Sequence, residues 1–533
     1  MKNRLYNILS YTLLFLLSSC YSDDFLKDEL LSDTSVNFLY NSEEGIANAV
    51  VGLYSINREP YERDWLNGAI PLVLTAKSDL SAGIDGEISL FSNCFWGSSA
   101  GDYGSETVYG FFWAHNYRII DVSNSIIQGA TKLVDQGNTS QKLMISLAEA
   151  RVFRAHAYFT LYRLFKNIYL KTDPTTPDTA FERPDKPSSQ DEIFQLIRND
   201  LDLASKYLSY QSPNFGRWNL GAVKHIQAKV EMWENNYSEA IKFVDDIINN
   251  SPHSLVDVDH VFSGELDHSE TLFSIQFERQ TIGGGAWHQM NWQTVSHYSA
   301  VPGFKQSIDN GGDGFGFITL NPYMIDLINE NPGDKRKGYY YIFDYKYNDS
   351  STLPVGKKIG DKMDVYNRIA DNDEFFLYYK RQNPGVIKFL DTNSEPTDRM
   401  HFKNVMIYRL AETYLIGAEA YFEEGNITKA LEYLNAVRTR AGISRVTSIS
   451  IESIFEERAR ELAFEGQRWY SLKRKGLLYN YLMDHMNDDL LNDYYERNHV
   501  NPKKVITPGM IHLPIPQNQL DLLGPNYPQN DAY

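Results

Sequence analysis

Cysteine is nearly absent from this chain, which has only Cys20 and Cys94 among its 533 residues. At most one disulfide is therefore possible, so the fold has to be stabilised by its apolar core. The sequence also lacks a CxxC pair, the HExxH pattern of zinc proteases and the GxxxxGKS/T loop that cradles phosphates. These absences leave a metal or nucleotide cofactor without support in the sequence, and we expect none.

Long apolar runs are lacking as well, since a transmembrane helix needs roughly 20 apolar residues. The apolar run at residues 6–17 is shorter, follows Lys2 and Arg4, and ends in the letters LSSC. This order is typical of a secretory signal, which we predict over residues 1–19. The LSSC ending resembles the lipobox of bacterial lipoproteins, so we expect Cys20 to be acylated and to anchor the mature chain in a membrane.

Positive charge is under-represented, because 51 Lys and Arg stand against 69 Asp and Glu and give a formal net charge of −18. Long-range repulsion therefore disfavours nucleic acid and other polyanions as partners. Hydrophobic residues make up 42% of the chain and aromatic residues 14%, which is enough for a large core. A minority of the rings could form a surface for sugars, whose apolar C–H faces stack on indole and phenol rings.

The spacing of apolar residues predicts a mainly α-helical chain. Residues 20–42 are polar and acidic, and we interpret them as a tether that follows the lipid anchor. Helices are expected over residues 43–58, 107–132 and 141–166. In the last of these the apolar positions recur at helical spacing: Ala148, Val152, Ala155, Phe159, Tyr162 and Phe165.

An internal repeat links two parts of the chain. Residues 222–247 place two helical faces on either side of a turn at Asn235 and Asn236, and residues 412–437 repeat this layout around Gly425 and Asn426. Small residues align where the helices would cross: Ala228 and Ala240 in the first unit, Ala418 and Ala430 in the second. Residues 148–166 and 190–207 look like a third pair with a proline-rich insertion. The repeat predicts a tetratricopeptide-like helical scaffold.

Helical periodicity fades over residues 253–401, where Gly, Asn, Asp and Tyr dominate and a strand is predicted at residues 272–277. A similar irregular stretch covers residues 60–106, and we expect the two to meet on one face. Long irregular segments inside a compact protein are usually functional, so this face is the predicted ligand site. The chain is accordingly divided into an N-terminal helical part, a ligand-face region and a C-terminal part: residues 43–252, 253–401 and 402–533.

Trp287 and Trp292 lead the candidates for ligand contact, because the glycine triplet at residues 283–285 is a natural loop tip. Amides, phenols and carboxylates nearby would hydrogen-bond to sugar hydroxyls. The other candidates come from the same two irregular stretches: Trp65, Asp79, Asp85, Trp96, Tyr103, Asn291 and Tyr298. Trp113 and Trp469 lie in helical segments instead, and we expect them in the core.

Three further patterns favour structural interpretations. Ser99 lies in a GxSxG match, but a nucleophile elbow needs a strand before it and a helix after it, which this context does not predict. Residues 309–314 miss the ligands that an EF-hand requires at its third and twelfth positions. A charged series near the C-terminus predicts ion pairs that fix helix packing: Glu457, Arg458, Glu461, Glu465, Arg468 and Arg474.

Several segments resemble blocks of the SusD/RagB family, in the family's order. The N-terminal half contains FFWAHNYRIIDVSNSII and AEARVFRAHAYFTLYRLF. The C-terminal part contains YRLAETYLIGAEAYFEEG, LNAVRTRAGI, EERARELAFEGQRWYSLKRKG, HLPIPQNQL and NYPQNDAY. The segment RLFKNIYL departs from the family by lacking a glycine after the phenylalanine, and the central region matches weakly, which concerns the ligand more than the fold.

The resemblance implies a mainly α SusD-like fold, with four tetratricopeptide-like hairpins and an irregular ligand-binding face. It also implies a non-catalytic lipoprotein on the exterior of the outer membrane, which captures a glycan for a SusC-like TonB-dependent transporter. Ser22, Asp23 and Asp24 resemble a surface-export signal of the same bacteria. Two alternatives remain open: a peptide-binding relative, which the net acidity would suit, and a lid subunit without ligand contacts of its own. If the chain were an enzyme, it would have to convert its ligand into a product.

Overall fold

The structure, a computed structural model, describes residues 36–62, 69–83, 108–212, 214–279, 284–364, 380–486, 503 and 506–533. It is mainly helical, as predicted. The N-terminal part holds the helices Val36–Asn41, Glu43–Arg58, Ile70–Ala76, Gly110–Asp135, Gln141–Phe165, Gln190–Tyr207, Leu220–Trp233 and Tyr237–Asn250. The C-terminal part holds Leu410–Glu423, Ile427–Arg440, Ile451–Leu462, Arg468–Arg474, Leu478–His485 and Gln517–Leu523. Short helices between them are Val258–Val261, Met290–Thr294, Pro322–Asn329 and Arg336–Tyr339.

Side-chain caps fix where several helices begin. Ser42 Oγ accepts a hydrogen bond from Gly45 N at 3.0 Å, which satisfies a free N–H at the start of Glu43–Arg58. Ser189 and Glu192 form a reciprocal capping box at the start of Gln190–Tyr207. The bounds of both helices are those predicted from the sequence.

The predicted helix at residues 107–132 is shifted, because the structure places it at Gly110–Asp135. Residue 107 lies outside the described residues. The helix continues past residue 132 and ends before Gly137, whose φ of +94° favours glycine and breaks the helical path.

The helices form a continuous array. Consecutive helices from Gly110–Asp135 to Tyr237–Asn250 pack side by side, and Tyr237–Asn250 also packs against Leu410–Glu423. The two repeat units thus lie next to each other, with turns at Asn235 and Gly425 that both have a positive φ. Their shared core contains small and apolar residues of both units: Ala228, Met232, Ala240, Val244, Leu415, Ile416, Ala418, Leu434 and Val437. The paired hairpins are confirmed, while their tetratricopeptide-like geometry stays a prediction.

The strands of the described chain form three two-stranded antiparallel sheets: Ser81–Gly83 with Ile318–Leu320, Thr271–Ile275 with Val405–Arg409, and Tyr341–Ile342 with Gly385–Val386. The strand predicted at residues 272–277 is therefore Thr271–Ile275. The first sheet joins the two irregular stretches, and Asn321 Nδ2 donates to the carbonyl of Asp79 at 2.8 Å beside it. The expectation that these stretches meet is confirmed at these residues.

Buried ion pairs attach the irregular region to the C-terminal helices. Arg336 donates to Glu457 and Glu461, and Arg409 donates to Glu270 and Glu461, all at 2.6–3.0 Å. Burial by itself would raise the pKa of Glu461, but the surrounding arginines outweigh it and hold this pKa well below its usual range. The structural interpretation of the charged C-terminal series is confirmed, and Trp113 and Trp469 are buried as predicted.

No helix within the described ranges combines the length and the apolar character that a membrane crossing requires.

Candidate functional site

Trp292 lies at the centre of a group of aromatic side chains in the irregular region. Its ring is 5.3 Å from that of Phe315 and 5.1 Å from that of Phe317, measured between centroids. His297 stacks on Phe315 at 5.2 Å with an angle of 26° between the ring planes. These four residues are called the ring cluster below. A hydrogen bond of 2.8 Å from Phe315 N to the carbonyl of Trp292 fixes the two chain segments that supply it.

A turn at two glycines precedes Phe315 of the ring cluster along the chain. Gly311 and Gly312 both have a positive φ, which other residues adopt at a cost. Asn291 Nδ2 donates to the carbonyl of Gly311 at 2.9 Å, and the Tyr298 hydroxyl donates to that of Gly312 at 2.6 Å. Asn291 and Tyr298 are both fully buried, so they hold the turn from the protein interior.

Cationic side chains lie against the ring cluster. Lys380 Nζ is 4.0 Å from the centroid of Phe315, and His297 N donates to the carbonyl of Lys380 at 2.7 Å. Arg399 places its guanidinium carbon 5.3 Å from the ring of Trp292 and donates through Nε to Asp313 at 2.9 Å. Cations at these distances are attracted by the electron-rich faces of the rings, which hold them in place.

Burial and the neighbouring charged side chains determine the pKa of His297. Burial lowers the pKa of His297, and Lys380, Arg381 and Arg399 lower it further, against the opposing effect of Asp313. The imidazole is therefore neutral near pH 7.

The predicted site residues differ in how far the structure buries them. Trp287 is half-buried at the surface, beside His288, which forms an antiparallel bridge with His401. Trp292 is 6% exposed, and Asn291 and Tyr298 lie near it beneath the surface. Asp79 is fully buried and paired with Arg468, so its carboxylate faces the protein interior. Cys20, Trp65, Asp85, Trp96, Tyr103 and the GxSxG match around Ser99 lie outside the described residues.

Sequence reasoning missed His297, Phe315, Lys380 and Arg399. Lys380 and Arg399 lie some distance along the chain from Trp292 and share no periodic pattern with it. The only available signal was their basic charge within an acidic protein, which does not reveal proximity. The described residues contain no group of three or more His, Cys, Asp or Glu side chains arranged to hold a metal ion.

Two other concave regions differ from the ring cluster in size and in the residues that line them. A cavity of about 70 Å³ between His156, Arg163, Tyr408 and Tyr470 has room for only a few water molecules. A depression of about 500 Å³ on the helical side is lined by Lys142, Tyr207, Asn214 and Arg217, among others, and Tyr207 is 41% exposed. This depression gives an aromatic surface against which the ring cluster can be compared.

Comparisons with known proteins agree with this architecture. The model of the SusD family matches residues 269–533. SusD-like protein P25 of Formosa agariphila is 26% identical over 553 residues, which cover 97% of each chain. Among solved structures, a laminarin-binding SusD-like protein has a TM-score of 0.69 at 22% identity and covers 92% of this chain and 100% of its own. Surface glycan-binding protein A of Bacteroides uniformis has a TM-score of 0.69 at 18% identity, with coverage of 92% and 99%.

The helical fold of this chain is shared with the solved SusD-like structures. The family model, the relative that aligns over nearly the whole chain and the sequence blocks described above all agree. The chain is a SusD-like protein of the SusD/RagB family.

Proposed function

We propose that this chain is a non-catalytic glycan-binding lipoprotein on the cell exterior, which captures an oligo- or polysaccharide and delivers it to a SusC-like TonB-dependent transporter. The observation that carries the proposal is the SusD family match, together with a fold shared with proteins described as laminarin-binding and surface glycan-binding. Capture needs a rigid scaffold and an exposed polar and aromatic face, and the helical array and the irregular region would supply them.

Anchoring is proposed through the lipid on Cys20. The LSSC ending of the apolar N-terminal run supports it, and residues 20–35 would separate the folded body from the outer membrane. The predicted tether of residues 20–42 is too long, because Val36–Asn41 is a helix that packs against Glu43–Arg58 and Gly110–Asp135. The acidic residues Asp23 and Asp24 fit export to the cell exterior. The hairpins would form the tetratricopeptide-like scaffold that meets the transporter.

Ligand contact is proposed first at Trp287 and then at Trp292. Trp287 is half-buried, so part of its indole reaches the surface, as stacking on a sugar requires. It follows Gly284 and Gly285, and Ala286 N is held by Glu62 at 2.9 Å, which ties this loop to the helical array. Trp65, Trp96, Tyr103 and Asp85 remain candidates on the second irregular stretch.

The proposal can be tested by native affinity electrophoresis of the chain without residues 1–20, in gels that contain neutral, acidic or host-type polysaccharides. We expect retardation by one class of polysaccharide and no new reducing ends after prolonged incubation. New reducing ends in proportion to protein would establish an enzyme and overturn the proposal. Binding of basic peptides in place of every glycan would favour the peptide-binding alternative, which the net charge of −18 would suit.

The transporter partnership needs a separate measurement. The full-length chain, affinity-tagged at its C-terminus and extracted from its own outer membrane in mild detergent, should co-purify with one TonB-dependent transporter in equal amounts. The variant Cys20→Ser should lose both the membrane fraction and the transporter. Recovery of the wild-type chain alone would contradict a stable partnership.

A further inference from the structure

A small polar cavity of about 30 Å³ lies inside the helical array, where helices from distant parts of the chain meet. It is called the junction cavity below. The helices Gln141–Phe165, Leu220–Trp233 and Ile451–Leu462 border it, and each contributes one cation to its lining: Arg163, Lys229 and Arg458. None of these residues belongs to the irregular region, so the junction cavity is separate from the ring cluster.

Cations outnumber carboxylates around the junction cavity. Glu412 lines it and accepts a hydrogen bond from Lys229 at 2.7 Å, while Arg458 Nη2 lies 3.4 Å from the same carboxylate oxygen. Arg163 is almost completely buried and has no carboxylate at ion-pair distance among the residues that the structure describes. A fourth lining cation has a carboxylate of its own, in the pair Arg474–Glu419. One carboxylate therefore faces three cations.

Arg458 has a buried donor that the protein leaves unused. Its Nη2 donates to Ser471 Oγ at 2.9 Å, but its Nη1 is buried and has no hydrogen-bond partner within the described part of the chain. Arginine stays protonated in proteins, so it cannot lower this cost by losing its charge. A buried, charged N–H group therefore requires an acceptor inside the cavity.

Arg163 is held in place by aromatic rings. Its guanidinium carbon lies 4.1 Å from the ring centroid of Phe159 and 4.0 Å from that of Tyr470, and its Nε donates to the carbonyl of Phe159 at 3.1 Å. The rings fix the position of this charge but do not neutralise it. An anion in the cavity would do so.

We propose that the junction cavity binds a chloride ion, held by the guanidinium groups of Arg163 and Arg458 and the ammonium group of Lys229. An anion supplies both the missing negative charge and an acceptor for Arg458 Nη1, whereas a water molecule supplies only the acceptor. The volume of about 30 Å³ suits a ligand of atomic size, since a single water molecule needs about 10–15 Å³. Sugars and other bulky anions are too large for it.

The electrostatics of Lys229 agree with this assignment. Burial lowers the pKa of Lys229 to about 8, with Glu412 opposing the fall and Arg163 and Arg458 adding to it. A chloride ion would offset the repulsion among the three cations and favour the protonated form of Lys229. The three helices meet only in the folded chain, so chloride should bind the folded state in preference to the unfolded state and raise the melting temperature.

The test is thermal unfolding of the purified protein at a constant ionic strength of about 0.15 M, with sodium gluconate replaced stepwise by sodium chloride. Gluconate is too large for the cavity. We expect the melting temperature to rise by a few degrees and to saturate as chloride replaces gluconate. Bromide should act as chloride does.

The variant Arg458→Met should lose this chloride dependence. Its melting temperature in gluconate should stay close to that of wild type, because one of three mutually repelling cations is removed and Glu412 keeps Lys229 as its partner. Arg118→Gln, at an exposed arginine that pairs with Glu59, is the control and should keep the full chloride dependence.

Crystals grown in sodium bromide give a second measurement, which does not depend on a variant that folds. Anomalous scattering should place a bromide ion between Arg163 and Arg458. An equal rise in melting temperature for wild type and Arg458→Met would indicate a general salt effect and overturn the chloride site. Equal melting temperatures in chloride and gluconate would overturn it as well. A cavity without bromide would assign it to water, with the same consequence.

Discussion

Asp79 and Arg468 form a buried, two-point ion pair, in which Arg468 Nε donates to Oδ1 at 2.8 Å and Nη2 donates to Oδ2 at 2.6 Å. The pair joins the irregular N-terminal stretch to the helix Arg468–Arg474 of the C-terminal part. Asp79 was a ligand candidate from the sequence, but its carboxylate is directed at a protein cation. Each charge is buried, so each depends on the other to remain in the interior.

We therefore predict that Arg468→Gln lowers the free energy of unfolding by about 3–5 kcal/mol, because Asp79 is left buried and unpaired. The double variant Asp79→Asn with Arg468→Gln should regain part of this loss. Urea unfolding followed by circular dichroism measures both. The exposed Arg118–Glu59 pair gives the control, and Arg118→Gln should cost no more than about 1 kcal/mol. Equal effects at the two arginines would contradict the account.

Gly417 lies where the helix Leu410–Glu423 packs against both Ile427–Arg440 and Tyr237–Asn250. A Cβ at this position would lie 2.5 Å from a ring carbon of Tyr433 and 2.8 Å from Cγ1 of Val244. Gly417→Ala should therefore destabilise the protein, by about 1–3 kcal/mol. Gly52→Ala is the matched control in another helix, because nothing lies within 4 Å of its Cβ position. It should stabilise the protein by about 0.5–1 kcal/mol, and the same denaturant series compares the two.

A stability loss for Gly52→Ala as large as that for Gly417→Ala would show that helix backbone effects, and not hairpin contact, dominate. An unchanged stability for Gly417→Ala would place the hairpins farther apart than the structure does.

His288 and His401 should make stability depend on pH. Burial, with a smaller contribution from His401, lowers the pKa of His288 to about 3, and burial lowers the pKa of His401 to about 4. Between pH 6.5, the ordinary value, and about 4, the unfolded chain binds protons that the folded chain does not. The free energy of unfolding should therefore fall as pH falls through this window, by up to about 1.4 kcal/mol per pH unit for each proton.

His401→Leu isolates this contribution, because neither ring nitrogen of His401 has a hydrogen-bond partner and its backbone bridge to His288 is retained. Urea unfolding at intervals between pH 7 and 4.5 should show a shallower dependence for the variant than for wild type. His260→Leu, at a histidine on a short helix away from the bridge, should leave the slope unchanged. Parallel slopes for wild type and His401→Leu would contradict burial of a neutral His401.

Alanine variants of Trp287 and Trp292 should distinguish an effect on glycan affinity from an effect on stability. Trp287→Ala removes a half-buried ring and is expected to weaken glycan affinity with little change in melting temperature. Trp292→Ala removes the centre of the ring cluster and should cost about 3–5 kcal/mol of stability as well. Tyr207→Ala, in the depression on the helical side, is the control. A loss of affinity at Tyr207 and none at Trp287 would move the binding surface to that depression.

The parts of the fold that the sequence predicts well are those whose signals lie within a short segment of the chain. The helices Glu43–Arg58 and Gln190–Tyr207 were predictable to their bounds because Ser42 and Ser189 cap them from within a few residues. The hairpins were predictable because a repeat supplies the same turn and the same small residues twice. Both are properties of contiguous segments.

The candidate site was only partly predictable, because it depends on contacts across loops. Trp287 and Trp292 stand out as tryptophans near glycines, yet nothing in the sequence indicates that Arg399 lies over Trp292 or Lys380 over Phe315. Tyr298 and Asn291 looked like surface groups because their segment is irregular. They are buried, and their side chains donate hydrogen bonds to the carbonyls of Gly311 and Gly312, which lie distant in sequence.

The central claim is that the chain captures a glycan without transforming it, and calorimetric titration with the retained polysaccharide, followed by chromatography of the same sample, tests it most directly. The account predicts saturable heat with a fixed stoichiometry, weakened by Trp287→Ala, and a polysaccharide recovered with its original length. Two results would contradict it. One is heat that continues after saturation, with shortened polysaccharide chains recovered from the sample. The other is the absence of saturable heat with any polysaccharide.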